Sequence, residues 1–133
     1  MIKENSEEVK NFEYENYKAA SEIILEDIKN GFTIVAEKSD TGLVGFMMFS
    51  YEWSDWRNGN FFFLQSIHVK KDLRNHGVFS QMQTFLDQYM KETGSCGIRV
   101  YYENRLREVW NPLMKKLNLG ESHYYIYHTD TAN

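Results

Sequence analysis

The spacing of apolar positions changes several times along the chain, and each change marks an element. Tyr17, Ala20, Ile24 and Ile28 recur at helical spacing and Gly31 follows as a stop signal, so a helix is expected over Tyr17–Ile28. Phe32–Glu37 is rich in β-formers, Asp40-Thr41-Gly42 has turn chemistry, and Leu43–Tyr51 is a second apolar run. Together they read as a hairpin, with Val44–Phe49 as a core strand. Ser54–Asn60 holds Asp55, Arg57, Asn58, Gly59 and Asn60, which is turn composition. Phe61–Val69 resumes as a long strand. Simple alternation puts Leu64, Ser66 and His68 on one face and Gln65, Ile67 and Val69 on the other.

A helix is then expected from about Asn75 to Glu92, with Val78, Phe79, Met82, Phe85, Leu86 and Tyr89 as its stripe and Thr93-Gly94-Ser95 as its end. Gly97–Tyr102 reads as a short strand. Leu106, Val109, Trp110, Leu113 and Leu117 outline a second amphipathic helix, kinked at Asn111-Pro112 or restarted there with Asn111 as cap. His123–His128, with Tyr124, Tyr125 and Tyr127, reads as a final strand. The order helix, three strands, helix, strand, helix, strand implies an α/β (α+β) fold. Its central sheet is mixed and mostly antiparallel, with helices on both faces.

Composition narrows the function. A chain of 133 residues without internal repeats is expected to form a single domain. Nineteen acids against fifteen Lys and Arg leave a net charge of −4, which argues against nucleic acid as a partner. Cys96 is the one cysteine, so no internal disulfide forms and a zinc–thiolate cluster is unsupported. The polar start MIKENSEEVKNFEYENY has no signal-peptide core, and no apolar run is long enough to span a membrane. A soluble cytoplasmic protein is expected, with no metal and no membrane partner.

The chemistry concentrates in Leu64–Ser80. A strand ends, a charged loop turns, and a helix begins with Arg74, Asn75, His76 and Gly77 expected in its first turn. A helix start offers unsatisfied amide donors and a partial positive charge. A glycine there admits a ligand close to the backbone, and an arginine adds a cation suited to phosphate oxygens. The segment can hold a pyrophosphate. It lacks both G-x-x-x-x-G-K-[ST] and G-x-G-x-x-G, so nucleoside triphosphate and dinucleotide folds are poor candidates.

This strand, loop and R-x-x-G helix start resembles the acyl-coenzyme A loop of the GCN5-related N-acetyltransferases, whose signature is Q/R-x-x-G-x-G/A. Arg74 and Gly77 match it, and Phe79 stands at the last small position. The run Glu52-Trp53-Ser54-Asp55-Trp56-Arg57-Asn58-Gly59 also resembles one found in a bacterial subgroup of unassigned acetyltransferases. The resemblance implies acetyl-coenzyme A as acyl donor. The amides of Arg74, Asn75, His76, Gly77, Val78, Phe79 and Ser80 would cradle its pyrophosphate, and the backbone of Ile67, His68 and Val69 would bond its pantetheine arm. The thioester would lie where Phe61–Val69 splays from Gly97–Tyr102. An acceptor amine would attack the carbonyl directly in a ternary complex, with a strand amide near Val69 polarising the oxygen.

The same comparison assigns further roles. Asn104 would contact the coenzyme. Glu103 and His68 are base candidates, the alternative role of Glu103 being to cap the following helix. Met114 stands where the family has a tyrosine acid and cannot donate a proton; Tyr124 is a substitute donor. Asn118 replaces a glycine, and Asn104 lies three residues too far from Leu117. Glu52, Trp53, Asp55 and Trp56 border the acceptor cleft and suit a small-molecule or protein amine, unless the tryptophans plug the core. The start is short for the family, so Met1–Glu15 is expected to replace a first strand or leave a bare sheet edge that favours a homodimer. The departures give a second reading: an acyl-coenzyme A-binding sensor or interaction module that has lost turnover.

Overall fold

In a computed structural model of the chain, the described residues are 29–39 and 42–131. The helix expected over Tyr17–Ile28, the substitute start Met1–Glu15, and Asp40 and Thr41 of the turn lie outside them. The chain divides into two compact units between Tyr101 and Tyr102, taken here in turn.

The first unit is built on a sheet of four strands in the order β1-β2-β3-β4. These are β1 (Gly31–Lys38), β2 (Gly42–Ser54), β3 (Gly59–Val69) and β4 (Gly97–Arg99). The first two junctions are antiparallel and the last is parallel. Strand β2 is flanked on both sides, and Val44–Phe49 is buried at every position, as an apolar run without alternation requires. Gly31 opens β1, where a Cβ would lie 2.0 Å from the Phe49 carbonyl oxygen. Gly59 and Asn60 belong to β3, so the turn after β2 is tighter than Ser54–Asn60. Strand β4 ends at Arg99, three residues short of Tyr102.

A β-bulge divides β3. Met48 pairs with Ser66 but Phe49 pairs with Leu64, which makes Gln65 an extra residue. Strand β2 runs unbroken through this stretch, so its even and odd residues keep to opposite faces. Ser66 and His68 therefore share a face with Met48 and Phe46, whereas Leu64 and Phe62 share the other with Phe49 and Tyr51. The simple alternation that grouped Leu64 with Ser66 and His68 fails at this one residue. Ring contacts agree: Phe32 lies 5.0 Å from Phe49, 4.7 Å from Phe62 and 4.8 Å from Tyr89, centroid to centroid.

Tyr89 belongs to α1 (Val78–Thr93), which covers that face with Met82 and Leu86 buried beneath it. Gly45 allows the close approach, since a Cβ there would lie 3.3 Å from both the Met82 and Val78 side chains. Phe85, counted in the stripe, is 59 % exposed at its margin. The helix begins at Val78, three residues after the expected start, because Asn75 and Gly77 hold left-handed backbone (φ 67 and 86) that no helix continues through.

The second unit contains a 3₁₀ turn (Asn104–Leu106) leading into α2 (Arg107–Lys116). Pro112 lies inside α2, so the helix does not restart with Asn111 as its cap. The Asn111 Oδ1 instead accepts a hydrogen bond from the Tyr102 hydroxyl at 3.1 Å, and Trp110 stacks on Tyr102. Met114 and Leu117 are buried, while Val109, expected on the apolar face, is exposed. Asn118 ends the helix at φ 59, a conformation Asn tolerates nearly as glycine does. That accounts for its standing in place of a glycine. The final strand expected over His123–His128 does not form; Tyr124, Tyr125 and Tyr127 are exposed in irregular chain. Alternation supplies strand propensity, but a strand also needs a ladder partner.

Two measurements check this packing. Leu86→Ala should lower unfolding stability by about 2–5 kcal/mol, and Phe85→Ala beside it by less than ~1 kcal/mol, in chemical denaturation. Burial, then the neighbouring Tyr89 hydroxyl, raise the Tyr51 phenol above its ordinary 10.0. The protonated phenol is thus favoured in the fold, and its contribution is full below pH 10 and lost as pH rises beyond it. The alkaline fall in melting temperature should be shallower in Tyr51→Phe.

Candidate functional site

The informative edge of the sheet is the side of β3 that faces away from β2. Strand β4 pairs with β3 only at Phe61↔Gly97, Phe62↔Ile98 and Phe63↔Arg99. Beyond Phe63, no strand among the described residues occupies that edge. Backbone direction follows from one bond: the Lys70 amide donates to the Val44 carbonyl at 3.0 Å, so Lys70 points toward β2. Alternation then turns the Ile67 and Val69 peptide groups outward and His68 inward. Of the three residues expected to bond a pantetheine arm, the first and last meet the geometry. The Val69 carbonyl already accepts the Arg74 Nε–H at 2.9 Å, so Arg74 is anchored to the end of this edge rather than extended into solvent.

From there the chain passes through a 3₁₀ turn (Lys71–Leu73) and the exposed loop Arg74–Gly77 into α1. Arg74, Asn75, His76 and Gly77 precede the helix instead of forming its first turn. The arrangement still presents the helix start: Gly77 caps it without a side-chain hydrogen bond, and the first turn holds no acid to offset the positive pole. A Cβ on Gly77 would meet nothing within 4 Å. Glycine therefore takes the φ of 86 without strain and leaves an open approach to the amides of Val78, Phe79 and Ser80. An extended chain ending in phosphates fits this surface, since β3 offers it an edge and α1 offers its phosphates a donor-rich terminus.

The other sequence candidates divide. His68 is 3 % exposed and 6.3 Å from the Phe46 ring, a core residue of the face opposite α1. Trp53 and Trp56 do not plug the core: they are 62 % and 94 % exposed. Asp55 builds its own turn, its Oδ1 accepting the Trp56 amide at 2.8 Å and its carbonyl the Asn58 amide. Glu52 is bonded to Arg99 Nη1 at 2.6 Å, and the Arg99 guanidinium lies 3.8 Å from the centroid of Phe61. In the second unit, the Glu103 carboxylate accepts the Arg105 Nε–H at 2.5 Å, and Glu103 precedes the 3₁₀ turn without a side-chain cap bond. Asn104 opens that turn, exposed, and the Tyr124 amide bonds the Ser122 hydroxyl.

Sequence reasoning missed the Gln65 bulge and the Glu52–Arg99 bridge. Gln65, a polar residue inside an apolar strand, was the available signal for the first; the second joins residues far apart in sequence and left none. A pocket of about 280 Å³ lined by Tyr51, Asn58, Phe62 and Thr93 lies at the far end of α1, away from the Arg74–Gly77 loop. Among the described residues, no group of three His, Cys, Asp or Glu side chains could hold a metal, and no helix is long and apolar enough to cross a membrane.

Comparison with known proteins gives the family. The acetyltransferase (GNAT) family matches residues 2–110. A possible acetyltransferase from Clostridium difficile 630 has a similar structure at 28 % identity and TM-score 0.79, over 93 % of this chain and 81 % of its own. The aminoglycoside 6'-N-acetyltransferase AAC(6')-IG from Acinetobacter haemolyticus shares the fold at 14 % identity and TM-score 0.73, over 98 % and 90 %. AAC(6')-Iy, solved with the bisubstrate analogue CoA-S-monomethyl-acetylneamine, shares it at 17 % identity and TM-score 0.67, over 92 % and 84 %. No curated protein matches the sequence. With its mostly antiparallel sheet, helices and family match, the chain has the acyl-CoA N-acyltransferase fold and belongs to the GNAT acetyltransferase family.

Proposed function

We propose that this protein transfers an acetyl group from acetyl-coenzyme A to a primary amine by direct attack in a ternary complex. The observation that carries the reading is the outward edge of β3 beyond Phe63, which among the described residues runs without a strand partner from the Gln65 bulge to the Arg74–Ser80 loop. Bound there, the donor supplies an activated thioester carbonyl. The chain's own residues do the rest. Ile67 and Val69 orient the pantetheine arm as a neighbouring strand would, and the helix-start amides with Arg74 hold the pyrophosphate. An outward amide of β3 polarises the carbonyl oxygen.

The acceptor nitrogen must lose a proton before it attacks, since an unperturbed primary amine titrates near ~10.4. In this reading Glu103 takes that proton, with Arg105 orienting its carboxylate, because His68 is sealed in the core. The nitrogen bonds the carbonyl carbon, the carbon–sulfur bond breaks with its electron pair leaving on sulfur as a thiolate, and the nitrogen releases its second proton to solvent to give the neutral amide. Tyr124 is the side chain proposed to protonate that thiolate. Met114, buried at the position of the family's usual acid, favours the second reading, a coenzyme-binding module without turnover.

Acetyl-coenzyme A at one hundred times its dissociation constant should stabilise the protein by about 2.7 kcal/mol, a rise of several degrees in melting temperature. Gly77→Asp should abolish the rise and Gly77→Asn should keep most of it, since both carry a similar backbone strain at φ 86 and only the first sets a charge against the pyrophosphate; equal behaviour would remove the loop from the site. Glu103→Gln should lower kcat at least tenfold with coenzyme affinity unchanged. Coenzyme binding without transfer to any amine would establish the second reading.

A further inference from the structure

The pocket at the C-terminal end of α1 has a hydrogen-bonding character that the donor site lacks. The helix is 16 residues long, so its two ends stand about 24 Å apart. None of the described residues lining the pocket carries a charge. The backbone donors of the loop after α1 are engaged within the protein. The Gly94 and Ser95 amides donate to the Met90 carbonyl at 3.0 and 3.1 Å, and the Cys96 amide to the Asn60 carbonyl at 2.9 Å. The Gly97 amide donates to the Ser95 hydroxyl at 3.2 Å. The hydroxyl protons are engaged as well. Thr93 donates to the Tyr89 carbonyl at 2.8 Å, Ser95 to the Gly97 carbonyl at 3.2 Å, and the Tyr51 hydroxyl is bonded to that of Tyr89.

What is left for a ligand is mostly lone pairs. Met90 takes both loop amides, so the carbonyls of Lys91, Glu92 and Thr93 receive neither, and they stand at the negative pole of the helix. A serine or threonine oxygen that has donated its proton still accepts. Asn58 and Asn60 add two carboxamides, whose oxygens can turn to a donor. Tyr51 and Phe62, with ring centroids 5.8 Å apart, form an apolar wall. An anion meets the wrong pole here, and a sugar finds few donors for its oxygens. A bare metal ion would fill a small part of the volume. An ammonium group has three donors and no acceptor, which complements this surface. At neutral pH an alkyl amine carries that group.

We infer that this pocket binds the ammonium group of a short-chain amine, at a site separate from the donor edge of β3. The ammonium bonds the helix-end carbonyls and the Thr93 and Ser95 oxygens, and its alkyl chain covers Tyr51 and Phe62. The volume lies just under the ~300 Å³ at which small-molecule sites begin, which suits a chain of a few carbons. The site stands whether or not acetyl transfer does. If transfer stands, an amine meets the protein at two places. This one is not the acceptor's, because Asn60 lies roughly 20 Å along β3 from Ile67.

The test is amide chemical-shift mapping of the intact protein at neutral pH with n-butylammonium chloride, against sodium butyrate, n-butanol and potassium chloride. Butylammonium should give saturable shifts at Asn58–Asn60 and Thr93–Ser95, and acetyl-coenzyme A should leave them in place. The other three should bind there roughly tenfold more weakly or not at all, the difference a charge-assisted hydrogen bond makes. Thr93→Lys sets an ammonium of the protein's own at the pocket, where a helix end favours a cation, and should abolish the shifts. Asn58→Asp, at a φ of 50 that both residues adopt, should tighten binding roughly tenfold. An unchanged amide spectrum elsewhere shows that both variants are folded. Equal binding of butyrate or butanol would overturn the inference, as would displacement of butylammonium by potassium, the mark of an inorganic cation site only. It is overturned equally by shifts that survive Thr93→Lys, by shifts confined to Ile67 and Val69, or by no saturable shift at all.

Discussion

Strand β3 has a full-length neighbour on one side and a three-residue neighbour on the other, and the rest of the first unit follows from that imbalance. Backbone donors and acceptors in a sheet need partners, and an open edge is a standing invitation to another extended chain. The protein closes one end of the edge itself, through the Arg74 guanidinium on the Val69 carbonyl. The Gln65 bulge sets which side chains face α1 on either side of the fork, so Leu64 and Phe62 pack under the helix while Ser66 and His68 turn to the opposite face. The bulge thus links the core to the opening.

Conformations with positive φ complete the site. Asn75 and Gly77 turn the chain from the end of β3 into α1, and both adopt backbone that most residues avoid. They delay the helix until Val78 and aim its uncapped amides outward. The helix is meanwhile fixed by Met82 and Leu86 against the sheet, so the donors are mounted on the core. Rigid mounting matters because a binding edge and a helix terminus recognise one ligand only if their separation is constant.

Much of the fold was legible because burial writes itself into period. The apolar runs of β1, β2 and β3 and the stripe of α1 fall where the pattern puts them, and Arg74 with Gly77 marks the loop. What was not legible depends on partners. A bulge changes facing by one residue without altering composition, so Leu64 was grouped with Ser66 and His68. Tyr124–Tyr127 alternates as a strand does but has no ladder, and it stays irregular. Glu52 looked like a free acid for a cationic acceptor because Arg99, its partner across β3, lies distant in sequence. Asn118 appeared to break a glycine position, yet its φ of 59 shows it filling the same conformational need.

The central claim is that the outward edge of β3 is the binding surface, and amide hydrogen exchange along that strand tests it most directly. With the free protein, the amide of Phe62, inside the paired segment, should be protected, and the outward amides of Ile67 and Val69 should exchange quickly. Adding acetyl-coenzyme A should slow exchange at Ile67 and Val69 and at the start of α1, with little change at Phe62. Uniform protection along β3 in the free protein, or no slowing at Ile67 and Val69 with ligand, would contradict the account.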